Sequence, residues 1–254
     1  LVRWTLSLCL HWQKKVKKLL LLLLLSLGFV TLADTITYKQ VGRYFQDGYL
    51  LVSGLIPDQV SAKAEEKMWQ ELGFNPDDPK SWEGAESVFH SNNADLIACY
   101  TDDFLSAATQ LSGDEPASFH KPSGIFAINT YPSEGEWHWP HPHIDHAIKE
   151  HGHKSLPRPF RIAAMTYIND VDQHGGGTVV WPESHHKIRT LLESDIEKYQ
   201  YVWELGRDIH TVDLSNPVEL TPKRGDILFY HYFCAHTGSK NTSNHPRFAY
   251  NTKW

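Results

Sequence analysis

From Gly124 onward the chain breaks into short runs of β-branched and aromatic residues, set between clusters of Gly, Pro and Asn. Residues 125–131, 162–168, 178–181, 227–232 and 248–250 each read as strands. Gly175-Gly176-Gly177 marks a tight connection ahead of one of them. Short strands at even spacing predict a sandwich or jelly roll. The first half reads differently. Asp47-Gly48 predicts a turn into a strand at 49–52. Val60, Ala64, Met68, Trp69 and Leu72 recur at helical spacing, with Asp58 as the expected cap and Gly73 as the stop. Residues 74–92 are polar and read as a loop. A second helix is predicted over 95–111, burying Leu96, Ile97, Tyr100, Phe104, Leu105 and Ala108. The expected fold is mainly β, a jelly-roll core buttressed by helices.

Length and charge set the domain plan. The 254 residues, 41% apolar and 21% charged, suit one large domain. Three cysteines build no disulfide framework. The net charge of −6 is uneven. Residues 1–33 carry Arg3, Lys14, Lys15, Lys17 and Lys18 and no acid, so the remaining 221 residues stand at −11. The four lysines precede seven leucines, Leu19 to Leu25, in an apolar stretch too short for a spanning helix. Residues 1–33 therefore read as a signal-peptide-like leader with a cut after Ala33. Cleaved, it implies export. Uncleaved, it is a membrane anchor. If the stretch has no native role, the domain is cytoplasmic. Residues 34–254 form the expected single domain. Its acidity and its lack of a Lys/Arg cluster argue against nucleic acid as a partner and leave a small molecule as the expected substrate.

Sixteen histidines stand against two methionines, and six of them lie between His138 and His153. Within that cluster, His143 and Asp145 form an H-x-D pair. On a strand, residues i and i+2 face one side, so the pair presents an imidazole and a carboxylate to one cavity. Two histidines and one carboxylate on one face of an octahedron hold non-haem iron and leave positions open. The second histidine comes from elsewhere, and His231 and His236 are the candidates. They differ by five positions and so face opposite sides of an unbroken strand. Only His236 has an arginine, Arg247, eleven residues on. A hairpin would return Arg247 beside His236, where a guanidinium fork suits the distal carboxylate of 2-oxoglutarate. A zinc hydrolase using the same three ligands, or a non-catalytic jelly-roll binding module, are the alternative classes.

These features resemble the phytanoyl-CoA dioxygenase family of Fe(II)- and 2-oxoglutarate-dependent oxygenases. The likeness spans most of residues 40–254. It rests on Phe45-Gln46-Asp47-Gly48-Tyr49-Leu50, on His143 and Asp145, on the Gly-rich turn running into Pro182-Glu183-Ser184-His185, and on Gly225-Asp226 leading to His236 and Arg247. The resemblance implies a double-stranded β-helix of cupin-like type. It implies iron on His143, Asp145 and His236, 2-oxoglutarate on Arg247, and O2 as oxidant. Two departures stand out. Glu183 occupies a position that is often glycine. Gly238 occupies one that is often serine, so Ser239 or Thr237 become candidates for the second co-substrate contact. Asn129 and Tyr131, on the strand before the triad, are further candidates. An acid at position 145 favours hydroxylation over halogenation.

Overall fold

Strand β7, Ile227–Tyr230, shows how alternation becomes layering. Ile227 and Phe229 enter one hydrophobic cluster, and Leu228 and Tyr230 enter another on the opposite side. A strand buried on both faces needs no polar alternation, which is why this run is uniformly apolar. Its antiparallel neighbours are β1 (Tyr49–Val52) and β4 (Ala163–Tyr167). Beyond β4 come β9 (Ala249–Lys253), β3 (Ile125–Ile128) and β2 (Val88–Ser91), each antiparallel to the last. The six-stranded sheet therefore runs β1-β7-β4-β9-β3-β2. A second sheet faces it, with β5 (Thr178–Val180) between β6 (Val218–Glu219) and β8 (His236–Gly238). A single bridge from His143 to His236 extends that smaller sheet. Two facing antiparallel sheets are the jelly roll that the strand spacing predicts.

The computed structural model describes residues 35–113 and 119–254, and Ile36–Trp254 form one compact unit. The signal-peptide reading of residues 1–33 falls outside the described residues. Among those described, no helix is long and apolar enough to cross a membrane.

Helices cover the outer face of the large sheet. Helix α1, Tyr38–Asp47, starts at a Thr37–Gln40 capping box and stops at Gly48, whose φ is 82°. Helix α2, Asp58–Leu72, buries Ala64 and Met68 and ends at left-handed Gly73, as its sequence predicts. Asp58 does not cap it. That residue is the first helical one, and its carboxylate pairs with Arg224 at 2.8 Å.

The helix expected over 95–111 is two helices, α3 (Ala94–Ile97) and α4 (Asp102–Ser112). Thr101 makes the break. Its hydroxyl accepts from the Phe104 N–H at 3.1 Å and donates to Leu55 O at 2.7 Å. The apolar face survives the break: Leu96, Tyr100, Phe104 and Ala108 are fully buried. Phe104 meets Tyr100, Phe229 and Trp254 with ring centroids 5.6–5.7 Å apart. Each such pair adds about 0.5–1.5 kcal/mol beyond area burial.

The stretch 74–92 is not all loop. It holds a short 3-10 turn, Pro79–Trp82, and edge strand β2. β2 has no buried residue, so it lacks the apolar alternation that would have marked it. Two further helices, α5 (Ser184–Ser194) and α6 (Val202–Asp208), lie on the small-sheet side. They send Ile188, Leu192, Val202 and Leu205 into the cluster between the sheets.

Candidate metal centre

His143, Asp145 and His236 converge. One ligating atom from each lies within 4.8 Å of the others, the one such group of three among the described residues. His143 is not on a regular strand. It makes one antiparallel bridge with His236, its N–H donating to His236 O at 3.0 Å and its carbonyl accepting from the His236 N–H at 3.0 Å. The chain then turns through Asp145 and His146, the latter at φ 63°. Ile144, between His143 and Asp145, is buried beside Gly206 of α6. Two-residue alternation thus survives for just the three residues that need it.

Hydrogen bonds fix each candidate ligand. The Nδ1 of His236 sits 2.9 Å from Cys234 O. A carbonyl only accepts, so Nδ1 carries the proton and Nε2 is left as the donor atom for a metal. That Nε2 is 3.7 Å from Asp145 Oδ2. The same Oδ2 accepts from the Tyr230 hydroxyl at 2.9 Å, and that hydroxyl accepts from Asn251 Nδ2 at 2.7 Å. Lys253 Nζ is 3.3 Å from the other oxygen, Oδ1.

These neighbours set protonation. Burial alone would raise the Asp145 pKa. His236, Lys253, the Tyr230 hydrogen bond and His143 together outweigh it and hold the carboxyl below its ordinary range. The protein packed around His143, and secondarily His236, lower that imidazole to about 4 against the attraction of Asp145. His143 is the most solvent-accessible of the three and His236 the least.

Arg247 is buried without an anionic partner among the described residues. It is 3% exposed, its Nε has no hydrogen-bond partner, and its one side-chain bond goes from Nη2 to the Thr130 hydroxyl. Burial lowers its pKa, while Tyr167 pulls the other way. The expected hairpin beside His236 does not form. Arg247 bridges Thr130 at the end of β3, in the large sheet, so it faces the small sheet from across the barrel.

Of the remaining candidates, Asn129, Tyr131, Thr237 and Ser239 line one cavity together with Thr130 and Arg247. The pairings Ala127↔Tyr250 and Thr130↔Arg247 share one register, which puts Asn129 opposite Phe248. Phe248 belongs to the helix-side cluster. Tyr131 packs on Phe74 at 5.9 Å. The Ser239 hydroxyl donates to Gly177 O at 2.9 Å. Thr237 is buried in the small sheet opposite Val179. Gly238 pairs with Thr178, whose hydroxyl bonds Tyr167 Oη at 2.7 Å across the two sheets. A side chain at 238 would therefore point inward, and a Cβ there would meet nothing within 4 Å.

His231 does not join the triad. Its ring lies 5.0 Å from that of His185. Trp181 is core, and Trp137 stacks on His174 at 4.2 Å. Tyr230, Asn251, Lys253 and Thr130 were not singled out from sequence. The parity of β9 held the signal, since 247, 251 and 253 share a face.

Several solved structures share the fold. EctD from S. alaskensis, crystallised with 2-oxoglutarate and 5-hydroxyectoine, is 16% identical with a TM-score of 0.56, over 86% of this chain and 76% of that one. EvdO2 from Micromonospora carbonacea var. aurantiaca is 14% identical with a TM-score of 0.57, over 85% and 89%. The epimerase SnoN of nogalamycin biosynthesis, crystallised with Fe3+ and alpha ketoglutarate, is 16% identical with a TM-score of 0.53, over 85% and 81%. No curated protein sequence matches. The sequence pattern of phytanoyl-CoA dioxygenase matches residues 44–249, a span that takes in all three converging ligands and Arg247. The chain belongs to the phytanoyl-CoA dioxygenase family.

Proposed function

We propose that this protein is an Fe(II)- and 2-oxoglutarate-dependent dioxygenase that hydroxylates a small molecule, releasing succinate and CO2. One observation carries the reading: two imidazoles and a carboxylate converge within 4.8 Å in the same barrel as a buried guanidinium with no anion of its own. The donor set suits Fe(II) with open positions, and the orphaned Nε of Arg247 suits a carboxylate brought in from outside.

His143, Asp145 and His236 would hold the iron, and Arg247 the distal carboxylate of 2-oxoglutarate. Thr130, already bonded to the guanidinium, holds that fork in place. It is a further co-substrate contact we propose, beside Ser239 and Asn129, which line the same cavity as Arg247. When bound, iron and 2-oxoglutarate supply the activation of O2 and the oxidising power. The protein supplies ligands in the right protonation state. Asp145 stays ionised and His143 stays neutral at neutral pH, so neither has to lose a proton to a metal. The cluster between the sheets, with Val180, Leu228 and Phe233, backs the site and keeps water from its rear.

Anaerobic addition of Fe(II) and 2-oxoglutarate should produce a visible metal-to-ligand charge-transfer band. His143→Ala or Asp145→Ala should abolish the band together with succinate release. Arg247→Ala should weaken 2-oxoglutarate binding roughly tenfold to a hundredfold, the scale of a charge-assisted hydrogen bond. Stoichiometric zinc with no band would move the protein to the hydrolases. Export or membrane attachment through residues 1–33 belongs to the same proposal. A mature protein beginning at Asp34 by mass spectrometry supports export, and an intact leader removes it.

A further inference from the structure

The inward face of β9 carries a cation at each end. Arg247 stands where the strand approaches, and Lys253 closes it, with Ala249 and Asn251 between them on the same face. Six residues of strand separate their Cα atoms by about 20 Å. The converging ligands lie between the two, nearer Lys253, because Asp145 touches Lys253 while Tyr167 and Thr178 meet on the Arg247 side of His236. A co-substrate anchored at Arg247 therefore leaves Lys253 on the far side of the metal.

Lys253 has one anionic neighbour among the described residues, Asp145. Its ammonium is felt by His143, Asp145 and His146, and a quarter of its side chain remains accessible. Once Asp145 shares its charge with a metal, that pairing no longer neutralises the ammonium. Formal charges make the point. With Fe(II), Asp145, Arg247, Lys253 and neutral imidazoles, the site stands at roughly +3, and dianionic 2-oxoglutarate brings it to roughly +1. An enclosed charge left uncompensated is costly, and the last unmatched cation is Lys253.

His146, which feels the Lys253 charge, begins a chain of packed rings. The rings of His146 and His153 are 4.4 Å apart, His146 and Phe160 5.1 Å, and Phe160 and Tyr232 6.3 Å. His146 Nδ1 is buried with no hydrogen-bond partner.

We propose that the primary substrate carries a carboxylate and that Lys253 receives it. This rests on the oxygenase reading above.

The test uses zinc-loaded full-length protein, so that no turnover occurs. Zinc and 2-oxoglutarate binding are measured first by calorimetry; wild-type protein that takes zinc but no 2-oxoglutarate ends the oxygenase reading separately. Matched acids and primary amides with aliphatic, aryl and N-acyl amino-acid bodies are then titrated into the zinc–2-oxoglutarate form. The expected result is at least tenfold tighter binding of some acid over its amide. Lys253→Met should bring that preference to within twofold, and Lys253→Arg should keep it, each variant being titrated at zinc and 2-oxoglutarate concentrations that saturate it. The proposal is overturned if no acid outbinds its amide, or if the preference survives Lys253→Met. It is equally overturned if Lys253→Met loses zinc affinity and leaves the preference intact, which makes Lys253 a support for Asp145.

Discussion

Tyr230 uses its hydroxyl fully: it accepts from Asn251 and donates to Asp145. Burial first, and then the Asp145 charge, raise its pKa well above the ordinary value, so it donates at every accessible pH. Tyr230→Phe deletes the donor and strands Asn251 Nδ2. We expect metal affinity to fall about 10–100-fold, the usual cost of an outer-shell partner, and the metal-free protein to lose about 1–3 kcal/mol of stability, the cost of a stranded buried donor. Competition against a chelator reads the first, calorimetry the second. The ligands themselves were legible because their spacing is local and chemical: H-x-D, then a histidine with arginine at plus eleven. Tyr230 and Lys253 carry no such mark. Their roles come from the strand face they share with Arg247 and from pairings between distant strands. For Asn129, the run 125–131 announces a strand without saying which face the metal occupies.

At the level of elements, the turn between α1 and β1 leaves no room for a side chain. Gly48 has φ 82°, and a Cβ there would sit 2.4 Å from His185 Nδ1. His185 cannot easily yield, because its Nε2 is 3.0 Å from Phe45 O and its ring lies between His186 and His231. Gly48→Ala should destabilise the fold by about 1–3 kcal/mol through strain and overpacking, measured by urea unfolding. Asp47-Gly48 was readable as a turn, and Gly73 as a stop, because left-handed backbone selects glycine. The division of 95–111 was hidden. Its apolar spacing continues through the break, and only the reach of Thr101 to Leu55 O, a contact 46 residues distant, makes the cap worth more than one continuous helix. Helices α5 and α6 were missed as well. They are short and polar outside, and their few apolar residues are buried by tertiary contact.

The whole molecule should be acid-sensitive. His185 and His231 are lowered to about 4 and about 3, burial leading in both, and His143 adds a third such group when no metal is bound. An unfolded histidine titrates near 6.5. Between about pH 6.5 and 4 the unfolded chain therefore takes up protons that the folded one refuses. Stability falls as pH falls, by up to about 1.4 kcal/mol per pH unit for each group, and these groups add no slope above that window. Calorimetry of the metal-free protein across that range should show a steadily dropping melting temperature, and a His185→Gln/His231→Gln double variant should flatten it. A chain as rich in histidine as this one invites a reading in terms of metal alone. Two of the sixteen converge with Asp145, and others are buried as neutral, aromatic-like packing.

The order β1-β7-β4-β9-β3-β2 also fixes when the large sheet can close. β9 lies in its middle yet is its last strand in the chain. During synthesis, β4 and β3 each wait with an unpaired edge until residues 249–253 have left the ribosome, because nothing earlier can fill the gap. A nascent chain thus presents two open edges of the kind that recruit other strands, and it needs shielding until β9 is made. The same late strand carries Arg247 at its approach and Lys253 at its end. An incompletely made chain therefore has neither its central strand nor its two inward cations.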